Sequence, residues 1–362
     1  MRKVFLFLMV AVMGVTGWVS SAYAVSEAAV LSLMISPGAR AAGMGEAFVA
    51  LADDATATYW NPAGLAFQYG KELHFMHVNW LPEFGNDMFY DFATYIHHVE
   101  GIGTFGLNVT YLNLGEQIHT DETGAELGKF GSNEYSIALT YGTKMSENWS
   151  VGLGMRYIRS NLAGGIKVGA EQGEGVANGF AFDVATLYKF PFAPKLSFGV
   201  NLSNMGPKIS YIDVAQADPL PTNLRFGFAY KLVESEFNKL SLVMDVNKLM
   251  VTRNRDGSTD PFYKALFTSP WTIEEVTYDE NKEVIAKKTL FNGTVSGGIE
   301  YWYSNIFALR AGYYWDEPGK VKYTSFGGGI QYHLYRFDFG YVAAPEGHPL
   351  ANTMRFSLTI GF

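Results

Sequence analysis

The 362-residue chain contains no cysteine. That absence excludes a disulfide framework, thiolate metal sites, a catalytic cysteine and a lipid-modified N-terminal cysteine. A basic excess is missing too: 27 Lys and Arg face 35 Asp and Glu, for a formal net charge of −8. Nucleic-acid binding usually shows the opposite balance, so no nucleic-acid partner is expected. The third absence is any apolar run after the N-terminus that reaches the roughly 20 residues of a membrane-spanning helix.

The N-terminus opens with "MRKVFLFLMVAVMGV", in which Arg2 and Lys3 precede a short apolar core, and "SAYA" follows with Ala22 and Ala24 in A-x-A spacing. Residues 1-24 therefore read as a secretory signal peptide, cleaved near Ala24 after export.

What the chain has in quantity is glycine and aromatics, 39 Gly, 22 Tyr and 27 Phe. They fall in segments of roughly 10 residues that alternate apolar and polar between turn residues, which is the signature of a transmembrane β-strand. About 14 such segments lie near 71-81, 88-98, 101-112, 131-142, 148-160, 179-190, 195-204, 222-232, 239-249, 290-302, 305-315, 323-334, 335-343 and 352-362, an even number as bacterial outer-membrane barrels require. In "NLRFGFAYKL", Leu224, Phe226, Phe228 and Tyr230 oppose Arg225, Gly227, Ala229 and Lys231. In "MRFSLTIGF", Phe356, Leu358 and Ile360 oppose Arg355, Ser357 and Thr359, and in "SLVMDVNKL" Met244 and Val246 oppose Asp245 and Asn247. Alternation alone fits a soluble sandwich equally well, with the faces reversed.

Loop lengths separate the two. Connections after even-numbered strands are short, such as "MSEN" and "YSN", whereas those after odd-numbered strands are long: 113-130, 161-178, 205-221 and 250-289. Short periplasmic turns alternating with long extracellular loops belong to outer-membrane barrels. Trp80, Trp149, Trp302 and Trp315 are expected at the membrane interfaces, and the final "TIGF" resembles the C-terminal signal of such barrels. The expected fold is all-β: a 14-stranded antiparallel transmembrane β-barrel over 71-362, with a long extracellular loop at 250-289 and outer-membrane lipid around it.

A barrel of this size is too wide to be filled by its own wall side chains. The segment before the first strand, "SPGARAAGMGEAFVALADDATATYWNPAGLAF", is small, Gly-rich and helix-prone, and residues 25-70 are expected to form a hatch in the lumen. Asp53 or Asp54 can cap a short helix over "ATATYW", and Asn61-Pro62 repeats the device with Asn as N-cap and Pro at the first helical position. Gly38, Gly43 and Gly45 allow sharp bends against a crowded wall. Arg156, Asp183, Arg225, Asp245, Arg310 and Arg355 fall on polar faces of strands, where charge-assisted hydrogen bonds could pin the hatch.

The run from Pro37 to Ala66 also resembles the N-terminal signature of the PorV/PorQ family, a branch of the FadL-like outer-membrane barrels. Asn61, Pro62, Ala63 and Gly64 match the hatch motif of that superfamily, and "ARAAGMG", including Arg40, Gly43 and Gly45, is similar to PorV/PorQ in particular. The resemblance implies work in type IX protein secretion or cell-surface attachment, without catalysis. Its partners would be cargo C-terminal domains and attachment-complex proteins. The wider superfamily implies the alternative, a channel for long-chain fatty acids or other hydrophobic compounds.

"WTIEEVTYDENKEVIAKKT" alternates within the 250-289 insertion and reads as a projecting hairpin, whose edge could receive a strand of a β-rich partner, or equally as a surface loop that limits access. No cofactor and no metal are expected. His74, His77, His97 and His98 have no Ser or acid placed by a catalytic motif, and "RNRDGSTD", 253-260, lacks the spacing and closing Glu of a calcium loop, so both read as structural.

Overall fold

The computed structural model describes residues 19-21, 28-83, 87-121, 123-164, 174-254, 256-278 and 284-362. Apart from 19-21, the expected signal peptide lies outside them. Among the described residues, fourteen antiparallel strands close into a barrel. They are β1 (Lys71–Asn79), β2 (Phe89–Val99), β3 (Gly103–Thr120), β4 (Glu126–Lys144), β5 (Trp149–Asn161), β6 (Val176–Lys189) and β7 (Leu196–Met205), then β8 (Asn223–Glu234), β9 (Asn238–Leu249), β10 (Thr294–Tyr303), β11 (Phe307–Asp316), β12 (Val321–Tyr332), β13 (Tyr335–Ala343) and β14 (Met354–Gly361). Each pairs with the next, and β14 closes on β1 with Arg355 opposite Val78 and Gly361 opposite Glu72. Closure leaves no free sheet edge in the wall, the condition for placing strands in hydrocarbon.

The two faces differ as a membrane barrel requires. Leu139, Leu153, Phe182, Leu309 and Phe326 are more than half exposed on the outside, while Asn108, Ser136, Arg156, Asp183, Asp245 and Arg310 are buried inside. A soluble sandwich would show the reverse.

The expected loop at 113-130 is corrected. β3 runs to Thr120 and β4 starts at Glu126, so the two strands form a tall hairpin with a turn at 121-125. A register shift between Asn113 and Glu116 breaks the two-residue period there, and most side chains beyond it are exposed. With both faces wet, alternation no longer marks the strand.

Within the connection from β9 to β10, a short α-helix (Phe262–Thr268) precedes a hairpin of Thr272–Tyr278 with Val284–Phe291. Val19–Ser21 pairs in parallel with the outer edge of this hairpin. Trp80 and Trp302 correct the interfacial expectation. Trp80 packs against the buried core cluster and Trp302 lies under Arg310 at 5.5 Å, because both positions share the inward parity of their strands.

Candidate functional site

The lumen is occupied by residues 28-70. Two helical turns, α1 (Ala39–Ala42) and α2 (Ala57–Trp60), and a 3-10 turn (Pro62–Phe67) carry the small residues of this segment. Asp54 Oδ1 accepts from the Thr56 amide at the start of α2, and Asn61 Oδ1 accepts from the Ala63 amide with Pro62 at the first helical position.

Small residues matter here because the wall opposite is also stripped of side chains. Gly298, Gly312, Gly327 and Gly340, on the consecutive strands β10 to β13, lie against Met44, Gly45, Gly43 and Ala39. A Cβ on Gly340 would come within 2.6 Å of the Ala39 carbonyl oxygen, and one on Gly312 would overlap the Gly45 amide. Backbone thus seats on backbone along the "ARAAGMG" run. The hatch amides find wall acceptors: Ala39 N donates to Ser357 Oγ and Gly45 N to Ser325 Oγ, both at 2.9 Å.

The charged residues form a closed ring. Arg40 donates from Nε and Nη2 to the two oxygens of Glu300 on β10, both at 2.7 Å. Glu300 Oε2 also accepts from Arg310 Nε on β11 at 2.7 Å, and Arg310 Nη1 lies 2.8 Å from Asp338 Oδ1 on β13. Asp338 Oδ2 accepts from Arg336 Nε at 2.9 Å, Arg336 Nη2 donates to Asp54 Oδ2 at 2.9 Å, and Asp54 Oδ2 returns to Arg40 Nη1 at 3.0 Å. Three cations alternate with three carboxylates, two members from the hatch and four from the wall. Asp53 adds a half-exposed fourth carboxylate on Arg40 Nη1 at 2.7 Å. Burial alone would raise the Asp54 carboxyl, but Arg336 and Arg40 outweigh it and hold Asp54 well below the usual carboxylate range. Such a bidentate, alternating arrangement satisfies charges that would otherwise be costly to bury.

The remaining polar positions divide into two sets. Asp245 Oδ2 accepts from the Phe48 and Val49 amides at 2.7 and 2.8 Å, and Arg355 donates to the Ser36 carbonyl and to Glu46 at 2.5 and 2.8 Å. Both touch the hatch directly. Arg225 donates to Asn247 on the wall and lies 4.3 Å over the Trp60 ring. Arg156 and Asp183 bond each other at 3.0 Å within the wall, and Asp183 also accepts from the Asn204 amide. Glu300, Arg336 and Asp338 were not singled out from sequence. Their parity in "SGGIEYW" and "YRFDFG" is the same signal that marks Arg310.

Among the described residues no group of three or more His, Asp or Glu is placed to hold a metal ion. In the 253-260 segment, Asp260 accepts from Lys264, Thr268 and Asn254, which ties the turn to the following helix. His74 is buried against Thr359, and His77 pairs with Asp91 on the outer wall.

A closed antiparallel barrel with an apolar outer face and a polar interior is an outer-membrane type of β-barrel. Solved structures agree: the Ralstonia pickettii toluene transporter TbuX superposes with a TM-score of 0.54 at 12% identity, over 90% of this chain and 98% of its own. The Pseudomonas putida toluene transporter TodX gives 0.52 at 12% identity over 90% and 98%, and a Pseudomonas aeruginosa FadL homologue 0.51 at 10% over the same shares. At such identities the likeness concerns the fold alone. The family model of the type IX secretion system protein PorV matches residues 20-256, and the chain belongs to that family. No curated protein matches the sequence.

Proposed function

We propose that this chain serves type IX secretion by binding exported cargo, through its C-terminal domains, at the extracellular end of the barrel, and that it passes cargo to attachment-complex proteins at the cell surface. It does so without bond chemistry, in the outer membrane of a Gram-negative-type bacterium, after export and cleavage near Ala24. The observation that carries the reading is the family match over 20-256. The structure supports it with a binding surface of suitable extent. The tall β3–β4 hairpin, the 206-222 connection and the 250-293 connection with its own hairpin all lie at one end of the barrel, opposite the short turns. Recognition of a β-rich domain there would use strand edges and loop side chains, with the barrel as a rigid support.

The rival reading is a channel for a hydrophobic compound, and the shared fold with toluene transporters favours it. Against it stands the ring, which ties the hatch to β10, β11 and β13. A clean deletion followed by mass spectrometry of periplasmic, surface and secreted fractions tests the choice. Loss of proteins sharing a C-terminal domain from the surface, with their accumulation in the periplasm, is expected. Unchanged fractions, with reduced uptake of labelled long-chain lipids, would overturn the secretion reading.

A further inference from the structure

The inward face of the short-turn end gathers lysines, in a chain that is acidic as a whole. Lys144 ends β4, Lys189 ends β6, Lys195 immediately precedes β7, Lys231 lies near the end of β8, and Lys239 lies at the start of β9. Strand parity turns all five toward the lumen, because each shares its face with buried inward residues such as Thr140, Leu187, Ala229 and Val243. They border the last turn of the hatch. Lys189 Nζ lies 3.6 Å from the centre of the Phe67 ring, and Lys144 Nζ donates to Tyr69 Oη at 2.7 Å. Between Lys189 and Lys231 opens a cavity of about 150 Å³, lined also by Asp53, Gln68, Ser197 and Ser241.

Glu147 and Glu236 stand in the turns beside Lys144 and between Lys231 and Lys239. On the inward side Glu234 pairs with Lys231 at 2.6 Å, Glu72 accepts from the Ala55 amide and the half-exposed Asp53 is held by Arg40, so the five lysines outnumber the carboxylates in the inward row. Like charges gathered at a mouth with aromatic faces beneath them attract an anion.

The spacing says which kind. From β4 to β9 the lysines span five strand intervals, about 24 Å of arc at roughly 4.8 Å each. A single phosphate reaches only two or three of them. An extended peptide rising about 3.3 Å per residue covers the arc in about seven residues. We infer that the periplasmic mouth is a docking site for an acidic, extended segment of a periplasmic protein, held by Lys144, Lys189, Lys195, Lys231 and Lys239 beside the hatch residues Phe67 and Tyr69. The inference concerns the end of the barrel opposite the proposed cargo surface, and it stands independently of that reading.

Fluorescence anisotropy on the purified full-length barrel in neutral detergent tests it, with fluorescein-labelled heptaglutamate as probe and heptaglutamine as the neutral control. Saturable binding of heptaglutamate that weakens at least tenfold between 50 and 300 mM NaCl is expected, with none of heptaglutamine. Replacing Lys144, Lys189 and Lys231 together by Gln should weaken binding at least tenfold. Replacing Lys287, Lys288 and Lys320 by Gln, at the other end of the barrel, should leave it unchanged. Heat-modifiable gel mobility confirms that each variant is folded, and Lys189→Gln alone serves if the triple variant is not. Equal binding by the two triple variants, or no binding by the native chain, overturns the site. Full displacement of heptaglutamate by equimolar inorganic phosphate overturns the peptide assignment in favour of a small anion.

Discussion

Replacing Glu300 by Gln removes one charge from the middle of the ring and keeps the shape of the side chain. In the native chain Glu300 receives three bonds of 2.7 Å, two from Arg40 and one from Arg310, and it is 3% exposed. A Gln offers one acceptor oxygen in place of two and faces the guanidinium groups with an amide that can only donate. Breaking a buried pair in this way costs about 3–5 kcal/mol. The loss falls on the tie between hatch and wall, since Arg310 keeps Asp338 and the barrel ladder is untouched. At about 1.4 kcal/mol per decade, local opening of the hatch should become roughly 140- to 4,000-fold more frequent. Hydrogen exchange followed by mass spectrometry reads this directly: peptides within 38-66 should exchange faster by that factor, while β4 to β6 keep native protection. If hatch peptides keep native protection, the ring does not hold the hatch. If wall and hatch lose protection together, the two form one cooperative unit and the idea of a separately tethered hatch fails.

Three further outcomes are expected. Gly45 has φ +68, and a Cβ there would lie 2.6 Å from the Tyr313 carbonyl oxygen and 2.8 Å from that of Gly297, so Gly45→Ala should unseat the "ARAAGMG" run. Trypsin should then cut after Arg40 in intact membranes, and continued resistance would show that the wall can yield. Asn61→Ala removes the Ala63 cap and the bonds to the Val49 and Thr186 carbonyls, which should cost about 1–3 kcal/mol. The urea midpoint of the Trp60 signal, in a variant that keeps Trp60 as its one tryptophan, measures that loss. Because the folded Asp54 carboxyl is held below its ordinary value, its contribution is fully present at neutral pH and is lost only as pH falls below the usual carboxylate range near 3.8. The share of the Trp60 signal that depends on Asp54 should shift below about pH 4. A transition centred near neutrality would show that a different group controls the hatch.

The strands were legible because each residue in a membrane wall answers to a local condition, lipid on one side and lumen on the other, and the two-residue period records it. Asp245, Arg310 and Arg355 could be singled out in that way, and Arg40 only through the resemblance of its run to a known family. Parity applied with equal care to "SGGIEYW" and "YRFDFG" would have added Glu300, Arg336 and Asp338, but it does not say that these residues meet. Trp80 and Trp302 show the limit from the other side, since a residue near a strand end is interfacial only if it points outward. The glycines on β10 to β13 were unremarked in a chain with 39 of them. Only the seated hatch distinguishes Gly298, Gly312, Gly327 and Gly340 from glycines elsewhere.

The sequence by itself therefore determined the barrel, its polarity and the existence of a small-residue segment before it, since periodicity, composition and loop length are properties of neighbours along the chain. The tertiary structure decided what holds that segment. Arg40 and Glu300 are 260 residues apart, and they face each other only because fourteen strands close into a barrel that brings β10, β11 and β13 around the same part of the lumen. Closure and register are set by the whole sheet at once, and no local pattern carries them.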